Sequence, residues 1–304
     1  MKRFRKIGVA LGAAALTATV AWGGVLNSAQ ASSVQGEDSV AKPARAAESA
    51  SAGNAEVAVP PPDQLKVLQF NICGNADHCP DPTGVAAKLV ESIEGRDPAD
   101  RPDMISLNEV CRTQFDFLRA RLGELGYGDG AFSNNHPPAC DGAGFGNAVF
   151  TTDPIQDSRN IQLPNPVGAG EERGMLCVDT VFYFGCSTHL STETENQLSQ
   201  VVHVASVAED ELDAGKRVIV AGDLNMEPEN SALNSLYEDC YGGNGQFGEG
   251  DASPYCTKTG ENTAGNRKID YIFFDTQNFG DFEGDVTGSN ASDHNMLWAT
   301  AQLR

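Results

Sequence analysis

The sequence predicts an α/β protein, and three observations predict it. Short runs rich in β-branched and aromatic residues alternate with helix-spaced apolar patterns from residue 63 to the end. No Pro-, Gly- or Ser-rich linker interrupts that stretch and no internal repeat is visible, so it reads as one domain. Hydrophobic residues make up 40% of the 304-residue chain, enough to build a core of that size.

The segments that precede the pattern come first in the chain. Lys2, Arg3, Arg5 and Lys6 open it, an almost uncharged run follows over 7–26, and Ala29-Gln30-Ala31 supplies the small-x-small signature of a secretory cleavage site. Residues 1–31 therefore read as a Sec-type signal peptide cut after Ala31. A transmembrane anchor is the alternative, since the run has about 20 residues. Its Ala, Gly and Thr content and the adjoining small-residue signature favour cleavage, and no cysteine lies nearby to carry a lipid. Residues 32–62, rich in Ala and Ser and closed by Pro60-Pro61-Pro62, read as a flexible linker, with a pro-segment as the alternative. The mature chain is then expected to be secreted, extracellular and without a transmembrane segment.

Within 63–304 the elements follow in order. Strands are expected over 66–72, 104–110, 147–150, 174–178, 181–189, 217–221, 269–274 and 296–302, each a short apolar run. Helices are expected over 83–94, 113–122 and 193–214. The first aligns Val85, Leu89 and Ile93, and the second Phe115, Leu118 and Leu122. The third aligns Leu198, Val201, Val202, Ala205, Ala208 and Leu212.

Charge and cysteines narrow the class. The leader carries four basic residues and no acid, and the linker sets Lys42 and Arg45 against Glu37, Asp38, Glu48 and Glu56. Of 21 basic and 42 acidic residues, 15 and 38 thus remain in 63–304, a formal charge of −23. Such a domain cannot track a long phosphate backbone with a broad basic face. All eight cysteines fall in it: Cys73, Cys79, Cys111, Cys140, Cys177, Cys186, Cys240 and Cys256. An even count in an exported chain points to disulfides, although the count alone leaves many pairings open. Sequence neighbours point to Cys73 with Cys79, Cys177 with Cys186 and Cys240 with Cys256, which leaves Cys111 for Cys140. A zinc site is the rival reading, and the irregular spacings without a CxxC pair argue against it.

Polar residues recur where the apolar runs end. They are Asn71 in Gln69-Phe70-Asn71-Ile72, Glu109 in Leu107-Asn108-Glu109-Val110 and His189 in Ser187-Thr188-His189-Leu190. Asp223 and Asn225 follow in Gly222-Asp223-Leu224-Asn225, Asp270 in Ile269-Asp270-Tyr271-Ile272, and Asp293 and His294 in Ser292-Asp293-His294. Any one alone reads as a turn residue or a paired structural acid; the ordered set is what carries information, because strand ends hold groups on rigid supports. In order and spacing the set resembles the endonuclease/exonuclease/phosphatase superfamily, the DNase I-like metal-dependent phosphoesterases, from residue 69 to 294.

The resemblance implies a four-layer sandwich, two mixed β-sheets packed face to face with helices outside, and a site at one end. It also implies roles. Hydrolysing a phosphodiester requires charge neutralisation on the phosphoryl oxygens, an oriented water and help for the leaving oxygen. Glu109, with Asn71 and Asp293, would hold Mg²⁺, with Mn²⁺ or Ca²⁺ as alternatives. Asp223 would orient or deprotonate the water, and Asn225 and His189 would meet the phosphate. His294, charged by Asp270, would donate to it. Arg173 is a candidate phosphate contact that reads equally as a surface charge paired with Glu171 or Glu172, and Lys268 reads as a surface charge. Cys73 stands where some apurinic-site nucleases carry a further metal-binding acid. The expected activity is that of a monomeric endonuclease-type nuclease, with nucleic acid favoured over lipid. A sphingomyelinase-like phospholipase or small-molecule phosphatase is the alternative, and a non-catalytic binding or toxin-like module is the alternative of another class.

Overall fold

The computed structural model describes residues 62–75, 79–128, 130–164 and 171–304; the expected signal peptide and all but the last residue of the expected linker lie outside them. Among the described residues, twelve strands and three α-helices follow one another. They are β1 (Gln64–Asn71), α1 (Val85–Glu94), β2 (Met104–Cys111), α2 (Arg112–Gly123), β3 (Ala131–Phe132), β4 (Phe145–Thr151), β5 (Asp157–Gln162), β6 (Gly174–Asp179), β7 (Phe184–His189), α3 (Thr194–Asp213), β8 (Val218–Asp223), β9 (Phe247–Glu249), β10 (Asp270–Asp275), β11 (Phe279–Thr287) and β12 (Met296–Leu303). They form two six-stranded sheets, ordered β11-β12-β1-β2-β4-β3 and β5-β6-β7-β8-β10-β9.

Each sheet holds one parallel pair, and each pair is made by a helical crossover. β1 and β2 run parallel, joined through α1, and β7 and β8 run parallel, joined through α3. A parallel pair requires such a crossover, and strand alternation then decides the layers. On one face of the first sheet, Leu68, Phe70, Ile105, Leu107 and Phe150 pack under Leu89, Ile93, Phe115 and Leu118 of α1 and α2. On the far face of the second, Phe184, Cys186, Val218 and Val220 pack under Val201, Val204, Ala205 and Ala208 of α3. Between the sheets, Val67, Met104, Val149 and Leu297 meet Leu176, Val178, Ile219, Ile272 and Phe274. The four layers are those expected.

Two of the expected α3 core residues point outward: Leu198 is 59% and Val202 47% exposed, whereas Val204, Gln197 and Gln200 are buried. The polar pair is buried because it ties down loops. Gln200 accepts from the Ser191 amide (2.8 Å), and Gln197 donates to the carbonyls of Ser191 (3.1 Å) and Asn225 (2.8 Å). The cysteines join as sequence neighbours indicated: Cys73–Cys79, Cys111–Cys140, Cys177–Cys186 and Cys240–Cys256. Cys177 and Cys186 are directly opposed on adjacent antiparallel strands. Among the described residues no helix is long and apolar enough to cross a membrane.

Candidate functional site

The strand register gathers the polar residues at one end of the sandwich. Asn71 closes β1 beside Asn108 of β2, and His189 closes β7 beside Asp223, the last residue of β8. Asp270 opens the antiparallel β10 directly opposite Asp223. Residues 293 and 294 precede β12, which runs antiparallel to β1 and so begins where β1 ends. The parallel pairs thus point their carboxyl ends, and their antiparallel neighbours their amino ends, at the same place.

Alternation aims the side chains inward. Leu65 and Val67 of β1 face the other sheet, and so do Gln69 and Asn71 two and four residues on; Ile219 and Ala221 of β8 lead in the same way to Asp223. Glu109 would face outward by strict alternation. A register shift between β2 and β4 after Leu107, with Glu109 at φ 57°, breaks the alternation and brings the carboxylate to the site. Asn225 (φ 52°) and Cys73 (φ 50°) also hold left-handed backbone beside the cluster. Gly222 lets β8 approach β7, since a Cβ there would lie 1.9 Å from the Thr188 carbonyl oxygen.

At the centre is the Asp223 carboxylate. Asn71 Nδ2 donates to Asp223 Oδ2 (3.1 Å) and to Glu109 Oε1 (3.0 Å). His189 Nε2 and His294 Nε2 stand 3.6 and 3.7 Å from Asp223 Oδ2. The Asn225 amide N–H donates to Asp223 Oδ1 (2.9 Å), and Asn225 Nδ2 lies 3.2 Å from His189 Nε2. Burial and the nearby Asp270 charge push Asp223 above the ordinary carboxylate range, despite the charge of His294.

The two imidazoles have opposite partners. His294 Nδ1 meets Asp270 Oδ2 at 2.7 Å. Burial alone would lower His294, but Asp270 outweighs it and lifts the imidazole to about 10. The same contact, working against burial, pulls Asp270 below its ordinary value. His189 is held well below the usual histidine value, by burial first and then by the Arg173 charge. Arg173 Nη1 lies 2.8 Å from His189 Nδ1 and 3.1 Å from Glu171 Oε1.

Asp293 is exposed and accepts from Ser292 Oγ (3.4 Å). Its carboxylate lies within 4.8 Å of the sulfurs of Cys73 and Cys79, which their disulfide removes as thiolate ligands. A second such group, Glu238 with Cys240 and Cys256, is disqualified in the same way. A third, Asp223 with Asp270 and His294, is geometrically compact, with His294 Nδ1 on Asp270 and His294 Nε2 turned toward Asp223. Glu109 offers a hard carboxylate oxygen of the kind that Mg²⁺, Mn²⁺ or Ca²⁺ takes, while Asn71 turns its nitrogen to Glu109 and Asp223 and its oxygen to the Cys73 amide (3.0 Å).

Several site residues escaped sequence reasoning. Asn108 Oδ1 accepts from Gln69 Nε2 (2.7 Å) and from the Asp223 amide (2.9 Å). Its Nδ2 donates to Asn147 Oδ1 and to the Thr188 carbonyl (both 3.0 Å). Gln69 Nε2 also reaches Asp270 Oδ1 (3.3 Å), and Thr263 Oγ1 accepts from the Asp270 amide (3.0 Å). Lys268 is not a surface charge: it is buried, pairs with Glu249 (2.8 Å) and Asp251 (2.7 Å), and donates to the Asp270 carbonyl (3.1 Å). The available signal was a polar residue at an inward position of an apolar run.

The model of the Endonuclease/Exonuclease/phosphatase family matches residues 68–294, and the chain belongs to that family of phosphoesterases. The human Nocturnin catalytic domain with bound sulfate is similar at TM-score 0.62 and 19% identity, over 80% of this chain and 95% of that one. A family member from Bacteroides vulgatus is similar at TM-score 0.60 and 18% identity, over 79% and 99%. An AP endonuclease from Archaeoglobus fulgidus is similar at TM-score 0.54 and 15% identity, over 77% and 98%. At these identities the likenesses establish the DNase I-like fold. No curated protein matches the chain in sequence.

Proposed function

We propose that the protein is a secreted, divalent-metal-dependent phosphoesterase that hydrolyses phosphodiester bonds as an endonuclease-type nuclease. The observation that carries this reading is the ring of donors around one buried carboxylate, with Asn71, His189 and His294 all directed at Asp223 Oδ2 beside Glu109. The sulfate held by one similar protein and the AP endonuclease activity of another support it. The metal would be held by Glu109 with Asn71 and Asp293, and when bound it would neutralise charge on the phosphoryl oxygens. Asp223, made more basic by burial and the Asp270 charge, orients and deprotonates the attacking water. His294 stays protonated through neutral pH because Asp270 holds it, and it donates to the phosphoryl or leaving oxygen. Asn225 and the neutral His189 donate to the remaining phosphoryl oxygen.

Residues 1–31 act as the export signal, 32–62 as the linker and 63–304 as a monomeric catalytic domain. The four disulfides suit an oxidising, extracellular setting. The −23 charge of 63–304 favours capture of one phosphodiester at a metal over tracking along a polyanion.

The test offers the purified protein plasmid DNA, RNA, sphingomyelin and a phosphate monoester, with Mg²⁺ and with EDTA. Cleavage of DNA or RNA that EDTA abolishes is the expected result. Turnover of only lipid or monoester would replace the nuclease reading, and turnover of none would favour a binding module on the same fold.

A further inference from the structure

We propose that Arg173 is a positioning residue for His189: it fixes the imidazole in the tautomer that carries its proton on Nε2, the atom turned toward Asp223 and Glu109. Arg173 stands just before β6. Its carbonyl accepts from the Leu163 amide (2.9 Å), and the next carbonyl, of Gly174, accepts from Asn147 Nδ2 (3.0 Å) and Thr188 Oγ1 (3.2 Å). Its side chain is only 12% exposed, with Nη1 held between Glu171 Oε1 (3.1 Å) and His189 Nδ1 (2.8 Å).

Hydrogen-bond roles fix the tautomer. A guanidinium has five N–H donors and no acceptor, so His189 Nδ1 must present its lone pair. The ring proton is then on Nε2, 3.6 Å from Asp223 Oδ2 and 3.9 Å from Glu109 Oε1. Asn225 Nδ2, 3.2 Å from the same Nε2, would by itself favour the opposite tautomer. Asn225 Nδ2 is already engaged with the Leu190 carbonyl (3.0 Å), and its contact with His189 is longer than the charge-assisted 2.8 Å contact of the guanidinium, so Arg173 decides.

Arg173 also intervenes between His189 and an acid. Glu171 Oε1 is 4.0 Å from His189 Nδ1. Without the guanidinium that carboxylate would be free to draw a proton onto Nδ1, and His189 would become a second copy of the His294–Asp270 pair. The expected consequence of Arg173 is two imidazoles of different character at one phosphoryl position.

The experiment compares wild type with Arg173→Met and Arg173→Lys. The imidazole ¹⁵N NMR signals of the resting protein are assigned to His189 by their loss in His189→Gln, and thermal melts confirm folding. Wild type should show a bare Nδ1 and a protonated Nε2. Arg173→Met should move the proton onto Nδ1, and Arg173→Lys, which still donates, should restore the wild-type pattern. The kinetic arm rests on the phosphoesterase reading, while the spectrum requires no turnover, so the two can fail separately. In that arm Arg173→Met should lower kcat about 10- to 100-fold with little change in KM, and it should cost nothing further in a His189→Gln background. Unchanged His189 signals in folded Arg173→Met would overturn the proposal, as would a loss confined to KM or one additive with His189→Gln, which would make Arg173 a direct phosphate contact.

Discussion

The space between the two sheets has two halves made by the same strands. Toward one end its inward residues are Leu65, Val67, Met104, Ile219, Ile272 and Phe274. Toward the other, two to four residues along the same strands, they are Gln69, Asn71, Ser106, Asn108, Asp223 and Asp270, all buried. The first half is held by packing that tolerates any shape-matched apolar residue. The second is held by hydrogen bonds in which each amide must find a named partner. One half therefore supplies stability, and the other uses some of that stability to keep polar groups dry and aimed.

The two halves should differ most at Asp223. Asp223→Asn should lower the phosphodiesterase rate at least about 10³-fold, since it removes the group that handles the water's proton. Thermal stability should hold or rise, because a buried carboxylate disfavoured by its surroundings is replaced by a neutral amide. Initial rates and a melting curve on the same sample test both halves of this statement; a large drop in Tm would show that the polar half also stabilises the fold.

Asn108→Leu sharpens the difference between packing and pairing. The change nearly conserves volume, yet it removes the side-chain partner of the Asp223 amide and of the Thr188 carbonyl, and one of the two acceptors of Gln69 Nε2. A loss of about 3–5 kcal/mol by chemical denaturation is expected, as one to three kcal/mol attends each unsatisfied buried group, together with reduced kcat. Ile272→Ala, in the apolar half of β10, should cost about 2–4 kcal/mol through lost burial and a cavity. Its folded fraction should keep wild-type kcat and KM.

The apolar half was legible in the sequence, since short apolar runs rich in Val, Ile, Leu and Phe marked eight strands. The four strands it did not mark, β3, β5, β9 and β11, are the edges of the two sheets. An edge strand is half solvated, and Asp157–Gln162 is exposed or half-buried throughout, so no apolar alternation is imposed on it. α3 misled in the opposite sense: Leu198 and Val202 carry the helical period but face out, because Gln197 and Gln200 are needed inside to hold the loops after β7 and β8. The chemistry-bearing residues were legible as a spaced set of strand-end motifs. The amides supporting them were not. A buried Asn at a strand position is distinguished from a turn Asn only by partners such as Asn108 with Asn147 or Ser187, 39 and 79 residues apart. The bulge that turns Glu109 inward likewise depends on pairing between β2 and β4.

The smallest expected effect lies inside the polar half, where the two imidazoles should leave opposite marks on stability against pH in EDTA. His294 is raised to about 10 by Asp270, so its contribution is complete below the ordinary histidine value near 6.5 and is lost as pH climbs toward 10. His189 is held well below that value by burial and Arg173, so the unfolded chain takes up a proton that the folded site refuses, and stability falls as pH drops below about 6.5. Melting temperatures of wild type, Asp270→Asn and His189→Gln from pH 5 to 10 separate the two. Asp270→Asn should flatten the alkaline limb and His189→Gln the acid limb, each by a few degrees, at about 2–4 °C per kcal/mol for a domain of this size. If either variant flattened both limbs, the two imidazoles would be titrating as one unit, and the division of roles between His189 and His294 would have to be redrawn.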